Sequence, residues 1–196
     1  QTGLGKTYGY LLPALNSDSE AGILVSVPTK ILQNQIMQEE GQRLKEVFHL
    51  EIHSLKGPQN YLKLDAFHRV LHRSESNRLF TRFKMQLLIW LTETETGDLD
   101  EIGQLYRYQH FLPELVHDGK LSKKSLFATE DFWKRGQEKA KTSRVLLTNH
   151  AYLVTRLEDN PEFVDNRLLI LDEAQKMLLA LENLAQQAYR LEDLVT

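Results

Sequence analysis

Three apolar runs interrupt an otherwise mixed chain: Gly22 to Val27, Arg144 to Thr148 and Arg167 to Leu171. Each is short, rich in aliphatic residues and continuous rather than alternating, as expected of parallel strands buried on both faces. A helical period follows each run. After the first, Ile31, Leu32, Gln35, Ile36 and Leu44 mark a face beginning near Thr29. Ala151, Leu153, Val154 and Leu157 follow the second, and Ala174, Leu178, Leu181, Ala185 and Ala188 follow the third. A further helix is expected through Tyr8, Tyr10, Leu11 and Leu12, up to Pro13. Strand–helix alternation of this kind predicts an α/β fold, a doubly wound parallel sheet with helices on both faces.

The segment from Leu55 to Lys141 breaks that rhythm. Helices are expected at Tyr61 to Leu71, Arg78 to Leu91 and Lys134 to Lys141. In the second, Phe80, Phe83, Leu87, Leu88 and Leu91 share one side. The polar stretch Glu93 to Asp98 separates helices. The segment is too long for a loop in a compact sheet, so it is read as a small helical subdomain inserted into the frame. The expected divisions are 1–54, 55–141, 142–175 and, as a final helix leading away from the sheet, 176–196.

Composition changes this picture little. Of 196 residues, 41% are hydrophobic and 26% charged, with a net charge of -3, which suits a globular fold and supplies no global positive field to attract nucleic acid. No apolar run approaches the roughly 20 residues that span a bilayer. The absence of cysteine excludes disulfides and thiolate-held zinc or iron–sulfur centres in this chain. It also fits a reducing interior. The chain opens at Gln1 with a motif already under way, which reads as an excised piece of a longer protein.

That motif is Thr2-Gly3-Leu4-Gly5-Lys6-Thr7. Glycines let the backbone curl so that its N–H groups cradle phosphate oxygens, and the following helix presents its positive end to them. Lys6 is expected on the β and γ phosphates of ATP, and the Thr7 hydroxyl on Mg²⁺. The apolar run Leu168 to Leu171 ends in Asp172-Glu173, at the strand tip where open α/β sheets place ligands. Asp172 is expected to hold Mg²⁺, and Glu173 to orient and deprotonate the attacking water.

These residues resemble superfamily-two helicases. Thr2 to Thr7 is similar to their motif I, Pro28-Thr29-Lys30-Ile31-Leu32-Gln33-Asn34-Gln35 to motif Ia, and Asp172-Glu173-Ala174-Gln175 to the D-E-A-H box. Leu55-Lys56-Gly57-Pro58-Gln59-Asn60-Tyr61 and Thr148-Asn149-His150-Ala151-Tyr152-Leu153 resemble two stretches of the DinG/XPD branch. Lys63 stands where that branch commonly has the first cluster cysteine, so the resemblance is to cluster-free DinG-type proteins of Gram-positive bacteria. Those relatives often carry an exonuclease domain. Gln175 replaces the usual His, which couples nucleotide state to the rest of the motor.

The resemblance implies a RecA-like P-loop domain that forms the ATP-binding half of a DNA helicase, with no iron–sulfur cluster, in the bacterial cytoplasm. ATP would lie between this domain and a second RecA-like domain of the same parent chain, and the fragment alone would turn over little ATP. Single-stranded DNA is the implied partner. Thr29, Gln35, Lys56, Asn60, Tyr61, Asn149 and His150 are its expected contacts, Tyr61 by stacking on a base. Asn149 equally suits an N-cap for the helix at Ala151. Two other readings share part of the pattern: another P-loop enzyme such as a kinase, and a non-catalytic nucleotide- or DNA-binding module.

Overall fold

The computed structural model describes residues 5–16, 21–74, 76–120 and 125–187. In chain order the elements are α1 (Lys6–Leu15), β1 (Gly22–Val27), α2 (Lys30–Ile36), a π-helical turn (Met37–Gly41), α3 (Gln42–Phe48), β2 (Ile52–Ser54), α4 (Leu64–Leu71) and α5 (Arg78–Leu91). Then come α6 (Leu112–Leu115), α7 (Phe132–Thr142), β3 (Val145–Asn149), α8 (His150–Asp159), β4 (Arg167–Leu171) and α9 (Met177–Gln187). The chain divides into two compact units, one of residues 1–56 with 140–196 and one of residues 57–139.

The first unit is built on a four-stranded parallel sheet in the order β2-β3-β1-β4. Alternate residues of the central strands feed two cores. Ile23, Val25, Val27, Val145 and Leu147 pack with Leu11 of α1, Ile36 of α2 and Leu44 of α3. Leu24 and Leu146 pack on the other face with Ala140, Tyr152 and Leu153. Both faces are therefore covered, which is why the strand sequences run apolar without alternation. The three expected strands are present. β2 is only three residues long, and no periodicity marks it.

Three local expectations are corrected. α1 passes through Pro13 and ends at Leu15. Proline removes only its own N–H and crowds the carbonyl four residues back, and that residue is Gly9, whose position has open space around it. The inward face of α2, the π turn and α3 is Gln33, Ile36, Glu40 and Leu44, while Ile31 is 80% exposed and Gln35 is exposed too. On α9, Leu178 and Leu181 point outward, and Met177 packs on the second core instead. Ala188 lies outside the described residues.

The second unit has its own core, in which Phe67, Val70, Phe80, Phe83, Leu87, Tyr108 and Leu115 are all buried. Phe83 stacks on Tyr108 at 4.2 Å and Phe80 on Phe111 at 4.3 Å between ring centroids. Asn77 caps α5 by accepting from the Leu79 and Phe80 N–H groups. Leu88, expected inside, is exposed, and Lys84 is buried in its stead. The Lys84 ammonium donates to the Val70 and Arg73 carbonyls at 3.3 and 3.4 Å, so it satisfies acceptors at the end of α4, where cations are favoured. Gly97 has φ +69°, and a Cβ there would fall 2.1 Å from the Phe132 ring. Among the described residues, no helix is long and apolar enough to cross a membrane.

Candidate nucleotide site

β1 ends at Val27, β4 at Leu171 and β3 at Asn149. These carboxyl ends line one edge of the parallel sheet, the edge at which such sheets bind ligands. Thr2, Gly3 and Leu4 lie outside the described residues. Gly5 precedes α1 with φ 116° and ψ -20°, a backbone shape closed to other residues at ordinary cost. Space around a Cβ there is open, so glycine serves the turn rather than relieving a clash. It supplies no side-chain cap, which leaves the first N–H groups of α1 available to an anion.

Thr7 is 4% exposed. Its hydroxyl accepts from the Tyr10 hydroxyl at 3.4 Å. Glu40 is 6% exposed, and its Oε2 is buried without a partner. Burial pushes Glu40 above the usual carboxylate range, the Thr7 hydroxyl and the Arg43 charge oppose the rise, and the charges of Glu39 and Asp172 add to it. Burial likewise pushes the Tyr10 hydroxyl up to about 12, with Asp172 and Glu40 again contributing. Four groups from α1, the π turn and the end of β4 therefore act on one another.

Asp172 continues β4, its N–H donating to the Ser26 carbonyl at 2.9 Å. Glu173 then turns the chain with φ 49°, in the left-handed region. Its carboxylate pairs with Lys176 at 2.5 Å. Lys176, and further off Lys6 and His150, hold Glu173 below the usual range. Gln175 is exposed in the 3-10 turn Ala174–Lys176.

Behind the acidic pair lies a buried polar lattice. His150 is 1% exposed. Its Nε2 lies 3.0 Å from the Asp172 carbonyl and its Nδ1 2.7 Å from Ser26 Oγ. A carbonyl only accepts, so Nε2 carries the proton and Nδ1 accepts from Ser26. Burial holds His150 below its ordinary value, against hydrogen bonds to the Asp172 and Glu173 backbone. Asn149 caps α8 by accepting from the Tyr152 N–H at 3.0 Å and donates to Gln33 Oε1 at 3.0 Å. Gln33 Nε2 meets Ser54 Oγ and the Leu55 and Leu147 carbonyls at 2.9–3.2 Å.

Asn149 and His150, expected on DNA, are thus buried struts behind the acidic tip. Lys56, Asn60 and Tyr61 are 1%, 6% and 3% exposed, which leaves the Tyr61 ring no open face for a base. Of the expected DNA residues only Thr29 and Gln35 are exposed. Thr29 caps α2 by accepting from the Leu32 N–H at 3.1 Å. Sequence reasoning missed Ser26, Gln33 and Glu40. Gln33 and Glu40 fall at helical spacing from Ile36 and Leu44, and that spacing is the signal that would have found them.

The residues present suit a nucleotide with a divalent cation. Thr7 supplies a hydroxyl, Asp172 a carboxylate, and Glu40 an orphaned buried oxygen. Among the described residues, no group of three or more His, Cys, Asp or Glu is placed to hold a metal by itself, so phosphate oxygens and water would complete its shell.

The DEAD/DEAH box helicase family matches residues 1–102. The chain is 32% identical over 197 aligned residues to the 3'-5' exonuclease DinG of Bacillus subtilis, covering 97% of this chain and 21% of that protein. It is 31% identical over 183 residues to the protein of the same name in Staphylococcus saprophyticus, with 89% and 19% covered. For the Staphylococcus aureus protein the figures are 29% over 179 residues, 89% and 20%. The chain spans about a fifth of the length of the curated relatives it matches.

Proposed function

Because this chain belongs to the DEAD/DEAH box helicase family, whose domain implies the use of ATP and the binding of nucleic acid, we propose that it is the ATP-binding half of a DinG-like DNA helicase motor. The observation that carries the reading is that α1, which follows the Gly5 turn, shares a core with β4, whose tip leads into Asp172 and Glu173: Leu11, Tyr8 and Tyr10 pack in it with Ile170.

In this reading the Thr2 to Thr7 turn and the first N–H groups of α1 hold the phosphates, and Lys6 neutralises their charge. Thr7 and Asp172 would hold Mg²⁺, which polarises the β and γ phosphates when bound. Glu173 orients the attacking water and takes its proton. His150 fixes the backbone that carries both carboxylates. Gln175 is the coupling residue, able to donate and accept a hydrogen bond where the box usually has His. Thr29, the exposed N-cap of α2, and Gln35, exposed near the end of that helix, touch the backbone of single-stranded DNA. Residues 57–139 take the place of the branch's cluster-bearing subdomain without its metal.

A second RecA-like domain in the whole protein would close on the nucleotide, so this chain by itself hydrolyses ATP poorly. The whole protein would work in a bacterial cytoplasm. An exonuclease activity of the kind its relatives are named for would reside in a separate domain. The test is the affinity of a fluorescent ATP analogue in the whole protein. Lys6→Ala weakens binding at least ~10-fold, a loss of about 1.4 kcal/mol or more, while Glu173→Gln binds as the parent does but fails to hydrolyse. Equal affinity in the parent and Lys6→Ala rejects the assignment.

A further inference from the structure

Helix α5 is apolar on two sides. Phe80, Phe83 and Leu87 fill the core of the helical unit, while on the outward side Met85 and Ile89 are 62% and 65% exposed. Arg82, Met85, Gln86, Ile89, Trp90 and Glu93 follow three- and four-residue spacing, which sets them along one stripe, and they line an open groove between α5 and the turn at 99–103. The Glu101 carboxylate accepts from the Trp90 indole at 3.2 Å and from the Thr94 and Thr96 hydroxyls at 2.7 and 2.5 Å, so the indole is held as a wall of the groove with its one polar atom satisfied. The two ends of the stripe differ in sign, and each has the wrong sign for its end of the helix. Arg78 and Arg82 stand at the positive N-terminal end, with no acid in the first turn and no base in the last. Past the C-terminus come Glu93, Glu95, Asp98, Asp100 and Glu101, with no base among them. Within one chain both placements oppose the helix dipole. Arg82 and Glu93 are exposed, and neither has an ion pair among the described residues.

We propose that this stripe is an interface between two copies of the chain, packed α5 against α5 about a two-fold axis. Such an interface presents the same patch from both subunits and must complement itself. An axis crossing α5 between Leu87 and Leu88 sets Arg82 opposite Glu93 of the partner subunit, Met85 opposite Trp90 of the partner subunit and Gln86 opposite Ile89 of the partner subunit. The stripe therefore meets itself, with charges of opposite sign at both ends and a thioether on an indole between them, a favourable contact. The acidic turn of each copy comes to lie beside the positive end of the other's helix, which offsets both misplaced ends at once. A partner helix without this charge order would leave one of them opposed. A single helix pair is small for a specific interface, so the dimer depends on concentration. The interface is independent of the nucleotide site.

The experiment is sedimentation of the whole protein across a concentration series. The parent is expected to dimerise as concentration rises. Arg82→Glu and Glu93→Arg, both at exposed positions, each set like charges opposite one another at both ends of the interface, and each should weaken the dimer at least ~10-fold. Mixed in equal amounts, the two variants should dimerise as the parent does, because in the mixed pair both contacts join opposite charges. Neither misfolding nor a different contact surface reproduces that rescue. A monomeric parent overturns the proposal and leaves the stripe to another segment of the longer protein. A dimer indifferent to both substitutions places the contact elsewhere and overturns it too, as does a mixture that associates no more tightly than the single variants.

Discussion

Gln33 is fully buried, and its amide joins α2 to the ends of β2 and β3 through four hydrogen bonds. Gln33→Met keeps the volume and leaves the Asn149 amide without its acceptor, while the Leu55 and Leu147 carbonyls keep the Thr148 hydroxyl and the Leu55 N–H. Urea unfolding should show a loss of about 1–3 kcal/mol, and a change within ~0.5 kcal/mol would mean that the lattice does not bear on stability. At this scale the candidate phosphate and metal residues, Lys6, Thr7, Asp172 and Glu173, are read from motifs whose residue types the proposed chemistry would require. Gln33 and Glu40 are not. Apolar periodicity pointed to Ile31 and Gln35, whereas the face that packs inward includes these two polar residues, and a hydrophobic count cannot see a polar side chain whose partners come from distant strands. The same limit hid the burial of Asn149 and His150. Nothing in Thr148-Asn149-His150 distinguishes a group facing a DNA strand from one facing Ser26 and the Asp172 carbonyl.

Elements were legible where apolar residues run on or recur: β1 and β3, buried on both sides, β4, whose Leu168 and Leu169 are exposed against expectation at the sheet edge, and α5 with bounds of Arg78 and Leu91. β2 was missed because three residues carry no period, and the outward Leu178 and Leu181 show that an apolar stripe need not meet a core in this chain. The connection from Val116 to Asp131 has no regular element among its described residues and depends on polar staples instead. His117 meets Asp131 at 3.1 Å, Asp131 caps α7 through the Lys134 N–H at 2.8 Å, and Lys63 meets Asp118 at 2.6 Å. The Lys63 hydrogen bond holds Asp118 from 3.8 down to about 2. Because the folded value is depressed, the stabilisation is complete above about pH 4 and is lost as pH falls toward 2. Asp118 is half exposed, so its worth is at most ~1 kcal/mol. Asp118→Asn should therefore be less stable than the parent at neutral pH and converge with it near pH 2 in acid titrations. Curves that stay parallel across that range would remove the ion pair from the account.

For the whole molecule, two units with separate cores carry different parts of the proposed function. The nucleotide and acidic motifs fall in the sheet unit, and both tryptophans, Trp90 and Trp133, fall in the helical one. Tryptophan fluorescence therefore reads residues 57–139 by themselves and supplies the signal for the acid titration. The sequence reading placed an inserted helical subdomain at 55–141, since a parallel sheet has no room for a loop of that length. The central claim is that the sheet unit is the engine of a DNA-driven motor, and the most direct test is ATP hydrolysis by the whole protein with and without single-stranded DNA, beside its Lys6→Ala form. The account predicts hydrolysis that rises with DNA and disappears in Lys6→Ala. A folded protein whose hydrolysis is absent or indifferent to DNA would contradict it.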